Sequence, residues 1–209
     1  MARPIEHDKK IGDSLLNAAE ALLAGGGIEA VSVRAVAGDI GTTTRAVYTV
    51  FGSKTGLLSA LATRGYLLLA EKVAALPITD DPLADLVDVG VEGFRSFALE
   101  SPHLFRLTFE RIPTEVLADP EVSNAAATSY KELARRIERA RDAGRLSGQP
   151  INEIAFAFHS LCQGMASGEL SREPPPVGAK FWRPIHGLDA ERLWRNALES
   201  LVSGLGRNS

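Results

Sequence analysis

Apolar residues recur along this chain every three or four positions and nowhere alternate strictly with polar ones, so the pattern predicts helices throughout and half-buried strands nowhere. Ile11, Leu15, Ala18, Ala19, Leu22 and Leu23 form a first stripe, and the glycines at 25–27 are expected to stop that helix. Ser32 is placed to cap a second helix, whose Val33, Val36, Ala37 and Ile40 fall at i, i+3, i+4 and i+7. Gly41 permits a sharp turn. Thr43 then caps a third helix with Val47, Val50 and Phe51 facing inward, and Gly52-Ser53 turns into a longer helix from Lys54 to about Ala75, ending before Pro77.

The remainder repeats this grammar at greater length. Asp81-Pro82 opens a helix to about Glu100, and Ser101-Pro102 opens a short one to Arg111, because proline suits the first helical position. Asp119-Pro120 opens another, carrying Val122, Ala126, Leu133, Ile137 and Ala140 and closed by Gly144. Residues 152–170 are apolar almost all round, which predicts a helix buried on most sides. A Pro/Gly-rich loop from Ser171 to Gly187 precedes a last helix beginning near Asp189. The expected fold is all-α, with about nine helices: three short ones, then roughly six longer ones. Internal repeats and low-complexity tracts are absent from the sequence.

Composition narrows the class without naming a function. With 45% apolar and 23% charged residues among 209, the chain has the make-up of an ordinary globular protein long enough for a sizeable core. No apolar run reaches the ~18 residues of a membrane-spanning helix, and the first residues, "MARPIEHDKK", lack the apolar stretch of a signal peptide. One cysteine, Cys162, leaves no intramolecular disulfide and fits a reducing cytoplasm. The net charge of -3 argues against a protein that holds nucleic acid over its whole surface. Residues 1–75 carry eight basic and seven acidic side chains, so charge alone does not point to DNA.

The second and third helices do. Two short helices at 33–40 and 44–51, joined by a glycine turn, have the size and spacing of a helix-turn-helix. Burying Val47, Val50 and Phe51 leaves Thr44, Arg45, Tyr48 and Thr49 together on the outer face. Such a face suits a major groove: arginine chelates guanine O6 and N7, and a threonine methyl meets the thymine methyl. Thr43, Ser53 and Lys54 sit at helix N-termini, where hydroxyl, ammonium and free backbone N–H groups can hold phosphates. A three-helix unit with a polar face is also common in proteins that never touch DNA, with Arg45 a solvated side chain and Tyr48 a rim aromatic. Pattern alone does not decide between these readings.

Taken together, residues 8–58 resemble the DNA-binding domain of the TetR family of bacterial transcription regulators. The resemblance rests on "IGDSLLNAAEALLAGGGIEAVSVRAVAGDIGTTTRAVYTVFGSKTGLL", with Gly41, Tyr48, Phe51, Ser53, Lys54, Leu57 and Leu58 at the family's spacing. It covers about a quarter of the chain. It implies phosphate-anchoring roles for Thr43, Tyr48 and Lys54, with Arg34 and Ser32 as further candidates, and base readout by Thr44, Arg45 and Thr49. Thr43 and Thr44 stand where Ser and Lys are common, Arg45 where a small residue is usual, and Val50 where an aromatic is frequent. These departures fall at variable positions and are expected to tune the DNA sequence read.

The resemblance further implies that residues 59–206 form a helical domain that binds a small, apolar effector and pairs two copies of the chain. Segments 94–110 and 157–170 resemble the regulatory domain of one subgroup, in which Trp and His often stand where this chain has His159 and Gln163. Phe94, Phe97, Phe105, Phe109, Phe156, His159, Cys162, Gln163 and Met165 are the candidate effector contacts, although any one of them can equally be a core residue. The last helix carries Leu193, Trp194, Ala197, Leu198, Leu201, Val202 and Leu205, a stripe wide enough to build, with the helix over 152–170, a four-helix interface with a second subunit, unless Trp194 and its neighbours only pack within their own chain. From it Trp194, Leu198, Leu201 and Leu205 are the expected interface residues. His103, after a helix-opening proline, is expected at the surface, and the 171–187 loop with Phe181, Trp182 and His186 is long enough to be a lid, a dimer arm or a poorly ordered segment.

The functional expectation is a homodimeric, ligand-released repressor acting on a pseudo-palindromic operator in the cytoplasm, with neither cofactor nor metal. Two other classes remain. An enzyme could use Cys162 with His159, three residues away on one helix face, although a thiol in so apolar a helix is more often inert. No phosphate-cradling glycine loop or HExxH spacing occurs, and the other histidines, His7, His103 and His186, are scattered. A helical protein-interaction module would instead present Arg45 and Tyr48 to a protein partner.

Overall fold

The computed structural model describes residues 3–146, 148–171 and 189–206, and of residues 3–9 the backbone alone. Every regular element among them is helical. In chain order these are α1 (Arg3–Ala30), α2 (Val33–Asp39), α3 (Thr44–Phe51), α4 (Lys54–Ala75), α5 (Pro82–Asp88), α6 (Ser96–Glu100), α7 (Pro102–Phe105), α8 (Thr114–Leu117), α9 (Pro120–Asp142), α10 (Ile151–Leu170) and α11 (Ala190–Gly206). Two π-helical stretches, Val89–Arg95 and Arg106–Glu110, follow α5 and α7. The expected lid or arm, with Phe181, Trp182 and His186, lies outside the described residues, as does the side chain of His7.

The chain forms two compact units, and both α4 and α9 run from one into the other. The first comprises residues up to Leu67 together with Ser101–Ala127. Its core is built on Leu15 and Ala19 of α1, Val36 of α2, Val47 of α3, Leu57 and Leu61 of α4, and Leu104 and Phe105 of α7, all fully buried. The glycine run at 25–27 acts later than its first residue: only Gly27 leaves helical geometry (φ 67, ψ -165), so α1 kinks there and runs on to Ala30. Gly65 lets α4 pass close to α7, since a β-carbon would stand 2.8 Å from Thr108 Cγ2. Beside it the Tyr66 hydroxyl donates to the Thr108 carbonyl at 3.0 Å. In the same unit Glu20 holds two side chains from distant segments. Its Oε2 accepts from Arg64 Nη1 at 2.7 Å, and its Oε1 lies 3.0 Å from His103 Nε2. His103 is therefore a partly buried structural partner, contrary to its expected surface position, because a carboxylate waits for it on α1.

The second unit comprises Leu68–Glu100 and the chain from Thr128 onward. Leu86, Phe97, Ile137, Ile154, Trp194 and Leu198 are its largest fully buried apolar side chains. The segment read as one helix from Pro82 to Glu100 is interrupted by the π turns at Val89–Arg95. Its two glycines explain the local fit: a β-carbon at Gly90 would overlap Leu198 Cδ1, and one at Gly93 would stand 2.9 Å from Val73 Cγ2. Charged groups are paired where the backbone needs them. Arg136 donates to the carbonyls of Leu76 (2.7 Å), Pro77 (2.8 Å) and Val73 (3.3 Å), capping the C-terminal end of α4 with positive charge. Arg95 forks onto Glu169, whose Oε2 also accepts from Trp194 Nε1 at 2.8 Å.

Candidate nucleic-acid interface

The turn between α2 and α3 is fixed by backbone geometry. Gly41 adopts φ 67, Thr42 N–H donates to the Ala37 carbonyl at 2.8 Å, and Gly41 N–H donates to the Gly38 carbonyl at 3.3 Å. Only glycine takes that left-handed conformation without cost, which is why the chain turns there. Hydroxyls cap α2, α3 and α4. Ser32 Oγ accepts from Ala35 N–H (3.1 Å), Thr43 Oγ1 from Ala46 N–H (3.3 Å) and Ser53 Oγ from Gly56 N–H (3.0 Å). Each cap uses a lone pair of the hydroxyl and leaves its proton free to be donated, so one group can end a helix and also bind a phosphate oxygen.

The outer face of α3 is as the spacing predicted: Thr44, Arg45, Tyr48 and Thr49 are all exposed, Tyr48 by 54%. The inner face is narrower than predicted. Val47 is fully buried and Phe51 half-buried, but Val50 is 42% exposed, although a β-carbon at Gly12 of α1 would lie only 3.6 Å from its Cγ1. Ile40 likewise ends α2 exposed, at its C-cap. In α3 Val47 alone is wholly inward, and the rest of its apolar stripe rides on the edge. Arg34, Ser53 and Lys54 are exposed, and Ser32 is half-buried. Between Asp39 and Glu71 the chain contains Arg45, Lys54 and Arg64 and no acidic residue, and with Arg64 paired to Glu20 the exposed cations of this stretch are Arg45 and Lys54, a local bias that a charge tally over residues 1–75 conceals. Such a stretch suits a polyanion.

The predicted effector residues divide between the two units. Phe105 and Phe109 belong to the first, where their rings lie 5.7 Å apart and Phe109 meets Tyr66 edge-on at 5.4 Å. Phe94, Phe97, His159, Cys162, Gln163 and Met165 belong to the second. There Phe94 and His159 stand edge to face at 5.5 Å, and Phe97 and Cys162 are fully buried core. Burial holds the His159 imidazole below its usual pKa, against the opposing effect of its hydrogen bond with Gln163, so it is a neutral polar group in apolar surroundings. Phe156 departs from the prediction altogether. It is 74% exposed, and α10 is buried along one side only, through Ile154, Ala155, Phe158, Cys162 and Ala166.

The interface candidates on α11 need the opposite correction. Trp194 and Leu198 are fully buried within their own unit, Trp194 held by Glu169 and Leu198 packed against Gly90, so neither is available to another subunit. Leu201 and Leu205 are half-buried. The side of α10 that the unit leaves uncovered instead carries Phe156, Ser160 and Gly164 at i, i+4 and i+8, all exposed. The sequence pattern puts α10 beside α11 in a four-helix interface but, reading α10 as buried on most sides, does not single out this side of it; the small residues spaced one turn from Phe156 were the available signal.

The chemistry for nucleophilic catalysis is poor. Burial pushes the Cys162 thiol well above the ordinary thiol range, which leaves it protonated and unreactive. Among the described residues no group of three or more His, Cys, Asp or Glu side chains could hold a metal ion, and no helix is long and apolar enough to cross a membrane. A groove of about 560 Å³ in the first unit, lined by Leu23, Gly27, Ile28, Arg106, Leu107 and Arg111 among others, contains none of the predicted effector residues.

Comparison with known proteins agrees with this geometry. Residues 15–61 match the family described as bacterial regulatory proteins, tetR family, and residues 90–201 match the tetracyclin repressor-like C-terminal domain. Among solved structures, a protein of unknown function from Rhodococcus sp. RHA1 is 23% identical, covers 94% of this chain and 96% of its own, and has a TM-score of 0.75. The TetR family transcriptional regulator PfmR from Thermus thermophilus is 20% identical over 91% and 98% of the two chains, with a TM-score of 0.63. The fatty acid degradation regulator FadR from Bacillus halodurans is 14% identical over 92% and 98%, with a TM-score of 0.71. At these identities the likeness establishes a shared fold. No curated protein sequence matches the chain.

Proposed function

The chain belongs to the TetR family of bacterial regulatory proteins, and from that premise we propose that it is a cytoplasmic repressor that binds a pseudo-palindromic operator as a homodimer and leaves it when a small apolar effector binds. The observation that carries the reading is the outer face of α3, where Thr44, Arg45, Tyr48 and Thr49 stand exposed on a helix whose N-terminus, like those of α2 and α4, is capped by a hydroxyl. Thr43, Tyr48, Ser53 and Lys54, with Ser32 and Arg34, hold phosphates; Thr44, Arg45 and Thr49 meet base edges. Residues 8–58 form the DNA-binding domain in this account, and residues 59–206 the regulatory one.

Two-fold pairing places two copies of α3 in successive major grooves, about 34–36 Å apart or a multiple of that. The face of α10 bearing Phe156, Ser160 and Gly164 supports such a pairing: small residues let helices approach closely, and the exposed ring supplies apolar area. The effector lies against Phe94, His159, Gln163 and Met165, a mostly apolar set with two directed polar groups. Because α4 passes from one unit into the other, an effector that favours a different setting of this helix lowers operator affinity by its differential affinity for the two states. Titration of small apolar molecules into the protein–operator complex tests the release step. The account expects at least one to lower operator affinity, and to do so less in an His159→Ala variant. Effectors that bind without changing operator affinity contradict it.

A further inference from the structure

The hydroxyl proton of Thr49 is already committed inside the protein. Its Oγ1 donates to the backbone carbonyl of Arg45, one turn earlier on α3, at 2.9 Å. A threonine hydroxyl has one proton to give. With that proton spent, Thr49 cannot donate to guanine O6 or N7 or to thymine O4, the acceptors that a free hydroxyl would read in a major groove. Its two lone pairs can only accept. Turning Oγ1 back along the helix leaves the methyl group, Cγ2, as the other substituent of this exposed side chain.

We propose that Thr49 is a specificity-determining residue that reads DNA through its methyl group, selecting a C5-methyl, and hence thymine, in each half of the operator. The inference rests on the DNA-binding reading above and deepens it by assigning one base. Position follows from the helix. Residues four apart on a helix have β-carbons about 5–6 Å apart, and base pairs are stacked about 3.4 Å apart. The thymine read by Thr49 therefore lies within about two base pairs of the guanine read by Arg45. Arg45 supplies hydrogen bonds and Thr49 supplies an apolar contact, and the bond from Thr49 Oγ1 to the Arg45 carbonyl orients the Thr49 side chain.

The test uses the full-length protein and an operator selected from random-sequence duplexes, in which thymines are replaced by deoxyuridine one symmetric pair at a time. Deoxyuridine removes the C5-methyl and leaves every hydrogen-bonding group in place. The ratio of affinities for the thymine and deoxyuridine forms is then measured for wild type, Thr49→Val and Thr49→Ser. Wild type is expected to lose about fourfold per half-site at one symmetric pair, the worth of one buried methyl. Thr49→Val, which keeps the methyl and discards the hydroxyl, retains that ratio; Thr49→Ser, which keeps the hydroxyl and discards the methyl, brings it to about one. A wild type indifferent to every deoxyuridine, or a Thr49→Ser variant with undiminished sensitivity, overturns this inference and leaves DNA binding standing. Selection of no operator at all overturns both.

Discussion

The carbonyl oxygen of Phe51, at the end of α3, occupies the space that a β-carbon on Gly56 would need. The first turn of α4 therefore lies against the last turn of α3 at a distance only glycine allows. Gly52, at φ 70, and the Ser53 cap make the turn between them.

Substituting Gly56→Ala is accordingly expected to cost about 1–3 kcal/mol, because the overlap is with backbone and not with a side chain that can swing away. Thermal unfolding followed by circular dichroism checks this. Operator affinity should fall as well, since α3 is set by what α4 packs against.

Glu20 gives a pH dependence with a defined sign. Burial would raise its pKa, but the hydrogen bonds from His103 and Arg64 outweigh burial and hold the carboxyl below its ordinary value of 4.5. A group depressed on folding stabilises the fold fully above its unfolded value and loses that contribution as pH falls through the folded one. Wild type should therefore exceed Glu20→Gln in stability by about 1 kcal/mol at pH 7, and the gap should close on acidification below about pH 4.5. Urea denaturation at several pH values measures it; a gap that widens in acid contradicts the assignment.

Phe156 and Trp194 should behave oppositely. Phe156→Asp places a charge on the uncovered face of α10 and is expected to yield a helical monomer by sedimentation. Trp194→Ala removes a fully buried side chain and its bond to Glu169, and should cost about 3–5 kcal/mol of folding stability. A stable monomer from Trp194→Ala, with Phe156→Asp still dimeric, would return the interface to the apolar stripe of α11.

Lys54 and Arg45 separate phosphate from base. Lys54→Ala should weaken binding to all DNA sequences about equally and lower the salt dependence by about one counterion per half-site. Arg45→Ala should cost about 1–3 kcal/mol per half-site on the operator and relax the preference at one base pair.

The first helices were legible in the sequence because their signals are local. Caps at Ser32 and Thr43, the turn at Gly41 and the outward set on α3 depend on residues within one or two turns. What escaped depends on what each helix packs against. The apolar run of α10 does not say that Phe156 is left exposed, nor does the stripe on α11 say that Leu198 is spent against Gly90. The π turns at Val89–Arg95 follow from close approaches at two glycines that the periodicity reads as ordinary helix. His103 meets its carboxylate 83 residues away, beyond any spacing rule.

The central claim, that the outer face of α3 reads a DNA sequence, is tested most directly by selection of genomic DNA fragments with the purified, ligand-free protein beside an Arg45→Ala, Tyr48→Ala double variant. The account predicts enrichment of one pseudo-palindromic sequence by the wild type and its loss in the variant, with both proteins folded. Enrichment of no sequence, or the same sequence recovered by the variant, would contradict it.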